Sequence, residues 1–296
     1  MPRTITIPTT PGFIASNFQL QRATAMAASP FSGKQRTQEY DAAYWAGQVT
    51  LAPMLRAQAV NWQSFFLDLE GTKNYFLFND PDGKTPQGTY NGDTLDGEIR
   101  LNSGSNVASV TLSFSGQNIT AGTEIFDGIG QNDFFTVSGA TNEENNGTFK
   151  VVTKNSNTVI TVDHSLTTES STTGCKVRQN IKGATALSLE ASSNTATGTI
   201  KKGDYLAIYD GTATTNNPIQ LVMATGDADL NTQSGSPDHY SIPIQPKLRQ
   251  DLTDGYVVGF SASYNKSRFR LQSPISEWDA NHNSNYGFTF EFLEVV

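Results

Sequence analysis

Histidines and carboxylates are the side chains most able to do chemistry unaided, and this chain spreads them thinly. Its three histidines, His164, His239 and His282, lie far apart. None stands in a metal-ligand spacing such as H-E-x-x-H, where two imidazoles share one helix face around an ion. Each sits beside turn-forming residues, in Val162-Asp163-His164-Ser165, Pro237-Asp238-His239 and Asn281-His282-Asn283, which predicts exposed turn histidines. Asp238 beside His239 suggests part of a nucleophilic triad, but no G-x-S-x-G elbow supplies an activated serine and oxyanion hole. Glycoside hydrolysis needs two carboxyl groups ~5–9 Å apart across a sugar cleft. Asp227, Asp229 and Asp238 fall in one polar loop, yet with 28 acids in the chain such a group is easily picked out by eye. Asp80, Asp82 and Gly83 imitate part of a calcium loop but lack its other ligands and its closing glutamate. A Pro-Asp-Gly turn accounts for them. No G-x-x-x-x-G-K-[ST] phosphate loop is present. The sequence thus assigns no catalytic, cofactor-binding or metal residue, and the expectation is a protein that is not an enzyme.

Composition narrows the elements that carry these residues. At 296 residues the chain suits one large or two modest domains. Apolar residues make up 36% and charged residues only 16%; Thr, Ser, Asn, Gln and Gly fill the difference. Thr and aromatics suit half-buried strands, while Asn, Gly and Asp suit the turns between them. The fold class expected is mainly β. Net charge is -8, and no basic run exceeds Lys201-Lys202, so the clustered cations needed to displace counterions from nucleic-acid phosphates are missing. Cys175 is the single cysteine, which excludes an intrachain disulfide and a multi-thiolate zinc site and fits synthesis in a reducing cytoplasm. Met1 to Pro8 lacks the basic and apolar regions of a signal peptide. No apolar stretch approaches the ~18 residues of a membrane span. Asn118-Ile119-Thr120, Asn146-Gly147-Thr148 and Asn265-Lys266-Ser267 match the glycosylation sequon, as chance allows in so Asn- and Thr-rich a chain.

Along the chain, Ile5 and Ile7 alternate with Thr as a short strand before Pro8. Phe18 and Leu20 alternate with Gln19 and Gln21, Ser29-Pro30-Phe31-Ser32-Gly33 reads as a turn, and Tyr44–Leu51 as a strand. Residues 53–70 predict the one principal helix: Pro53 fits its first turn, Leu55, Ala59, Trp62, Phe66 and Leu69 form an apolar stripe, and Gly71 stops it. The stripe suits packing against the protein's own sheet, with a partner-binding face as the alternative. Tyr75–Phe78 is a strand. Residues 98–180 change texture, to short segments at Val107–Phe114, Asp133–Val137, Gly147–Val152, Thr158–Val162 and Cys175–Arg178 parted by turn clusters such as Thr141–Gly147. This predicts a small all-β module inserted in a discontinuous domain, 1–97 with 181–296. After it come strands at Ala186–Leu189, Tyr205–Tyr209 and Gln220–Ala224, and a final strand with Phe288, Phe290 and Phe292 on one face and Thr289, Glu291 and Leu293 on the other.

Two groups of segments resemble a known family. The first is Ser29–Gly33, Tyr44-Trp45-Ala46-Gly47, Pro53–Ala59 and Trp62–Gly71. The second is Gly203–Leu206, Ile242–Arg249 and Phe290–Val295. They are similar to bacteriophage tail proteins, above all the distal tail proteins of long-tailed phages, and cover about half the chain. The resemblance implies a virion structural protein with a barrel- or sandwich-like belt domain. Such subunits commonly form a hexameric ring between the tail tube and a baseplate, hub or tail-tip protein. The short interrupting module departs from the best-known members. The alternative is a carbohydrate-binding tail-tip module that adsorbs to a host surface glycan, for which Tyr240, Tyr264 and Trp278 are the aromatic candidates. The family supplies no catalytic residues.

Overall fold

Long strands dominate the N-terminal third. A computed structural model describes residues 2–28, 32–90, 99–101, 107–126, 129–191, 198–210, 217–229, 239–252, 256–274, 279–280 and 285–295. Strands β1 (Phe13–Ala28) and β2 (Gln35–Leu51) form an antiparallel hairpin; the Ser29–Phe31 part of the expected turn lies outside the described residues. β3 (Met54–Leu55) leads into α1 (Arg56–Leu69), and β4 (Phe76–Phe78) follows. Next come β5 (Ile99–Leu101), β6 (Val107–Ala121), β7 (Phe134–Ser138), β8 (Gly147–Lys154) and β9 (Val159–Arg178). β10 (Ala186–Ala191), β11 (Thr199–Ile200), β12 (Tyr205–Tyr209), β13 (Pro218–Ala224), β14 (Ala228–Asp229) and β15 (His239–Gln245) succeed them. The chain closes with β16 (Val257–Gly259), β17 (Ser267–Leu271), β18 (Asp279–Ala280), β19 (Asn285–Gly287) and β20 (Thr289–Glu294).

These strands make a five-stranded sheet in the order β1-β2-β20-β17-β4, a closed barrel β10-β15-β13-β12-β16-β5, and a four-stranded sheet β6-β9-β7-β8. Two smaller sheets are β11-β14 and β18-β19-β3. The protein is therefore mainly β with one α-helix among the described residues, as its composition predicts. No helix among them is long and apolar enough to cross a membrane, which says nothing of crossing by strands.

Two compact units emerge. The first holds residues 1–85, 217–221 and 265–296; the second holds 86–216 and 222–264. The chain thus divides at 85–86 and 264–265 rather than at 97–98 and 180–181. The reason is the barrel: β5 pairs with β10 and β16, so residues 99–101 belong with strands that come after 185. Within the second unit, β6 to β9 keep a sheet and a hydrophobic cluster of their own, including Leu112, Phe114, Phe126, Phe135, Val151, Ile160 and Val177.

The first unit is held by aromatic rings. Phe290 and Phe292 point inward from β20, as the alternation requires, and Phe288 just before it is buried with them. Phe292 packs at 5.0 Å from Phe78 and 5.2 Å from Phe269, and Phe290 at 5.1 Å from Phe66. Gly47 lies opposite Phe292 in the ladder. A Cβ there would sit 2.8 Å from the Phe292 ring and 2.3 Å from the Asn17 carbonyl, so only glycine lets the ring lie flat against β2. Helix α1 buries Ala59, Trp62, Phe65, Phe66 and Leu69, which supports the reading that its stripe packs on its own sheet. Each fully buried ring contributes roughly 1.5–3 kcal/mol.

Several expectations are corrected. Ile5 and Ile7 form no strand; Thr4 makes a single parallel bridge to Tyr75, with Tyr75 exchanging hydrogen bonds with Arg3 and Ile5. The helix begins at Arg56, because Met54 and Leu55 pair with Tyr286 and Asn285, and Leu55 is exposed rather than part of the stripe. Glu70 already takes the left-handed conformation, one residue before Gly71. The segments 158–162 and 175–178 are the two ends of one strand, β9, since the Thr- and Ser-rich stretch between them is itself well suited to strand.

Candidate functional site

Among the described residues, those with catalytic potential are not gathered into a common site. His164 lies on β9, not in a turn, with its side chain 61% exposed and Nδ1 2.7 Å from Asp163 Oδ1. Burial would raise the Asp163 pKa, but the Lys150 N–H and His164 outweigh it and hold the group below its ordinary value. Asp227 accepts from Lys201 Nζ at 2.9 Å and from the Lys202 N–H at 2.8 Å, so it closes a turn. Asp229 pairs through its backbone with Thr199 on β11. Asp80 Oδ1 accepts from the Asp82 N–H at 3.1 Å, and Asp82 Oδ2 from Ser16 Oγ at 3.3 Å, which is the turn expected. Tyr264 is half-buried, and its carbonyl accepts from the Tyr209 hydroxyl. Asp238, Trp278 and His282, with the side chains of His239, Tyr240 and Asp229, lie outside the described residues. No group of three or more His, Cys, Asp or Glu among the described residues is arranged to hold a metal ion.

The best-connected carboxylates instead fasten backbone. Glu294 is 1% exposed. It accepts from the Trp45 N–H (3.2 Å), the Leu221 N–H (3.1 Å) and Ser267 Oγ (2.8 Å). Asp204 accepts from the N–H groups of Gln87, Gly88 and Lys201 at 2.6–3.0 Å. Glu169 receives the Thr172 hydroxyl, the Thr141 and Asn142 N–H groups and the Asn145 amide. Desolvation pushes its pKa up, but these donors prevail and hold it well below the usual carboxylate range. Asp133 goes the other way: burial raises it to about 7 against the Gly130 N–H at 2.7 Å and the charge of Lys154.

Two surface features remain. The first is the outer part of the β1–β2 hairpin. After a register shift between Arg22 and Thr24 the pairing continues to Ala28 and Gln35, yet residues 24–28 and 32–38 are all exposed. Side chains on successive strand residues point to opposite faces, so this arm is bare on both. Beyond it, β1 is an edge strand of the sheet with one charged residue, Arg22, and neither Lys nor Pro to blunt it. Met26 is 67% exposed. Residues 24–38 carry Lys34 and Arg36 and no acid, and Glu39 and Asp41 follow on β2.

The second feature is a groove of about 290 Å³ in the first unit, lined by Tyr44, Arg270, Leu293, Glu294 and Val295. Arg268 and Arg270 are alternate residues of β17 and lie opposite Leu77 on β4 and Leu293 on β20. The Nε atoms of both are buried and have no hydrogen-bond partner among the described residues. The Arg268 guanidinium stacks over Tyr75 at 5.5 Å. Neither arginine is in an ion pair among the described residues.

Sequence reasoning missed the arm, the groove and Glu294. A signal for the arm exists in the acid-free first 38 residues, and one for the groove in the alternation Ser267-Arg268-Phe269-Arg270-Leu271. Glu294 continues the inward row of Phe290 and Phe292. No known protein-family model matches the sequence, and no curated protein matches it.

Proposed function

We propose that this chain is a non-enzymatic structural subunit of a bacteriophage tail that forms a closed homo-oligomeric ring, six-fold by resemblance, joining the tail tube to a baseplate, hub or tip protein. The exposed hairpin arm is the observation that carries this reading. A two-stranded hairpin is marginally stable alone in water, and an unpaired edge is a template for another chain. An arm bare on both faces gains its contacts outside its own chain. In a ring each subunit offers one surface to the neighbour ahead and a different one to the neighbour behind, and an arm on one side fits that asymmetry. Permanent interfaces bury roughly 2,000 Å² or more, and two arm faces with a long edge add to such an area without a reactive group.

Native mass of the purified protein and imaging of intact virions test the reading. The expected result is a closed ring at the end of the tail tube. Monomers at fibre ends that bind glycans would replace it with the carbohydrate-binding alternative, and release of sugar from cell-wall or capsule polymers would replace it with an enzyme.

A further inference from the structure

We infer that the outward face of α1 is the seat for the β1–β2 arm of a second copy of this chain, with Met26 between Val60 and Leu67. The inference rests on the reading of the arm as a subunit contact and names the surface that receives it. Helix α1 buries Ala59, Trp62, Phe65, Phe66 and Leu69. At 3.6 residues per turn the opposite side carries Arg56, Val60, Ser64 and Leu67, all exposed. A surface helix ordinarily turns polar residues outward, yet Val60 is 48% and Leu67 63% exposed. Among the described residues, the exposed large hydrophobic side chains are Ile14, Met26, Leu55, Val60 and Leu67 in the first unit and Val152 in the second. Within the first unit they fall on the hairpin and on or beside the helix. A closed ring needs two different surfaces on each subunit, and this unit carries both.

Charge and dimensions name the arm as the occupant. Anions stabilise helix N-termini and cations C-termini. α1 has no acid in its first turn and no base in its last; Arg56 opens it, and Asp68 and Glu70 stand at its end, against its own dipole. Glu70 is paired with Lys73 and Arg3. Asp68 is exposed and in no ion pair among the described residues. A cation from outside the chain completes this end, and the arm brings Lys34 and Arg36, which are in no such pair either. Met26 and Ala28 share one face of the arm with their cross-strand partners Thr37 and Gln35, an uncharged surface suited to Val60 and Leu67. Val60 and Leu67 are about 10 Å apart along the helix. Lys34 stands three residues from Thr37, also about 10 Å along the strand. With Met26 seated between the two helix residues, Lys34 falls beside Asp68.

The test is disulfide cross-linking in the full-length protein. Its single cysteine, Cys175, is buried, so introduced thiols report alone. Met26→Cys and Leu67→Cys are placed in separate chains with different affinity tags, co-expressed and oxidised, which makes any 26–67 bond intermolecular. The expected result is a linked pair holding one chain of each kind, with at least about tenfold less product when Val152→Cys replaces Leu67→Cys. Both positions are exposed in the subunit, so the variants should fold. Native mass supplies a second reading without a cross-link. Leu67→Glu should raise the dissociation constant of the assembly at least about tenfold and leave the circular dichroism spectrum unchanged. Asp68→Lys should weaken assembly as well, and adding Lys34→Glu to it should restore it. Assembly with no 26–67 bond would overturn the seat and leave the ring reading in place. So would bonds only between like cysteines, which would pair arm with arm or helix with helix. A chain that stays monomeric at every concentration would end both readings.

Discussion

The base and the tip of the β1–β2 hairpin are made by the same two strands, yet they answer to different surroundings. At the base, Phe18 stacks on Trp45 at 5.3 Å, Phe13 meets Phe78 at 5.6 Å, and Trp45, Val49 and Leu51 are buried. At the tip, Thr24 to Ala28 pair with Gln35 to Glu39, and the side chains of residues 24–28 and 35–38 are exposed. Strand pairing extends past the packed base without a core, beyond a register shift between Arg22 and Thr24. The residues of the base are those an aromatic core demands. Those of the tip, small and polar with Lys34 and Arg36, follow no demand made within the chain.

The largest effect that sharpens this contrast is truncation where the base meets the helix. Trp62 is fully buried, with its ring 6.1 Å from Phe13 and 5.8 Å from Phe65. Trp62→Ala should destabilise by about 3–5 kcal/mol in urea unfolding, whereas Met26→Ala at the tip should stay within about 0.5 kcal/mol. A Trp62 variant as stable as the parent would mean that the helix stripe does not hold this sheet.

A core that dictates its residues also tolerates misfits, and Asp133 is one. Its folded pKa of about 7 exceeds the 3.8 of an ordinary aspartate because burial disfavours the charged form. The native state therefore binds more protons than the unfolded state between those values, so stability falls as pH rises through that window. The full difference is on the order of 4 kcal/mol. Asp133→Asn should raise stability at pH 8 by up to that amount and change it little at pH 3.5. Denaturant midpoints at the two pH values check this. A gain equal at both would trace to packing instead of charge.

Glu294 is a buried carboxylate with the opposite economy, since each oxygen has a donor. Glu294→Gln places an amide NH₂ against groups that themselves donate, and it should cost about 2–3 kcal/mol. Glu291→Gln, on the exposed side of the same strand, should be nearly silent. If the two variants unfold alike, the buried network adds nothing to the base.

Much of this was legible from residue patterns. Alternation placed the Phe row of β20, because a half-buried strand must repeat every two residues, and β12 and β13, neighbours in the barrel, were both expected as strands. The 3.6-residue period found α1. What escaped depended on distant partners. Nothing local tells that Ile99 to Leu101 serves a barrel completed by residues after 185, that Glu294 meets the N–H of Trp45 249 positions away, or that β1 outruns its core. An exposed strand and a buried one are both written in Thr, Ala and Gln when the covering surface belongs to no neighbour in sequence.

The smallest effect on stability is expected at the tip, and it is the most informative about function. Replacing residues 23–42 by Asn-Gly, the pair that closes a two-residue hairpin, removes the arm and leaves the base ladder from Phe13 to Arg22 and from Ala43 to Leu51. No side chain described as buried is lost, so the thermal midpoint should move by no more than about 2 °C. The same change removes Lys34, Arg36 and both bare faces, and should leave monomers in native mass measurements where the parent forms a ring. Reversing only Lys34 and Arg36 to Glu should weaken assembly at low salt and matter less as ionic strength rises, because exposed charges are screened beyond ~10 Å at 0.1 M. A drop of many degrees in the deletion variant would show that the tip supports its own fold. An assembly that survives both changes would move the interface to another surface and end the contrast between base and tip.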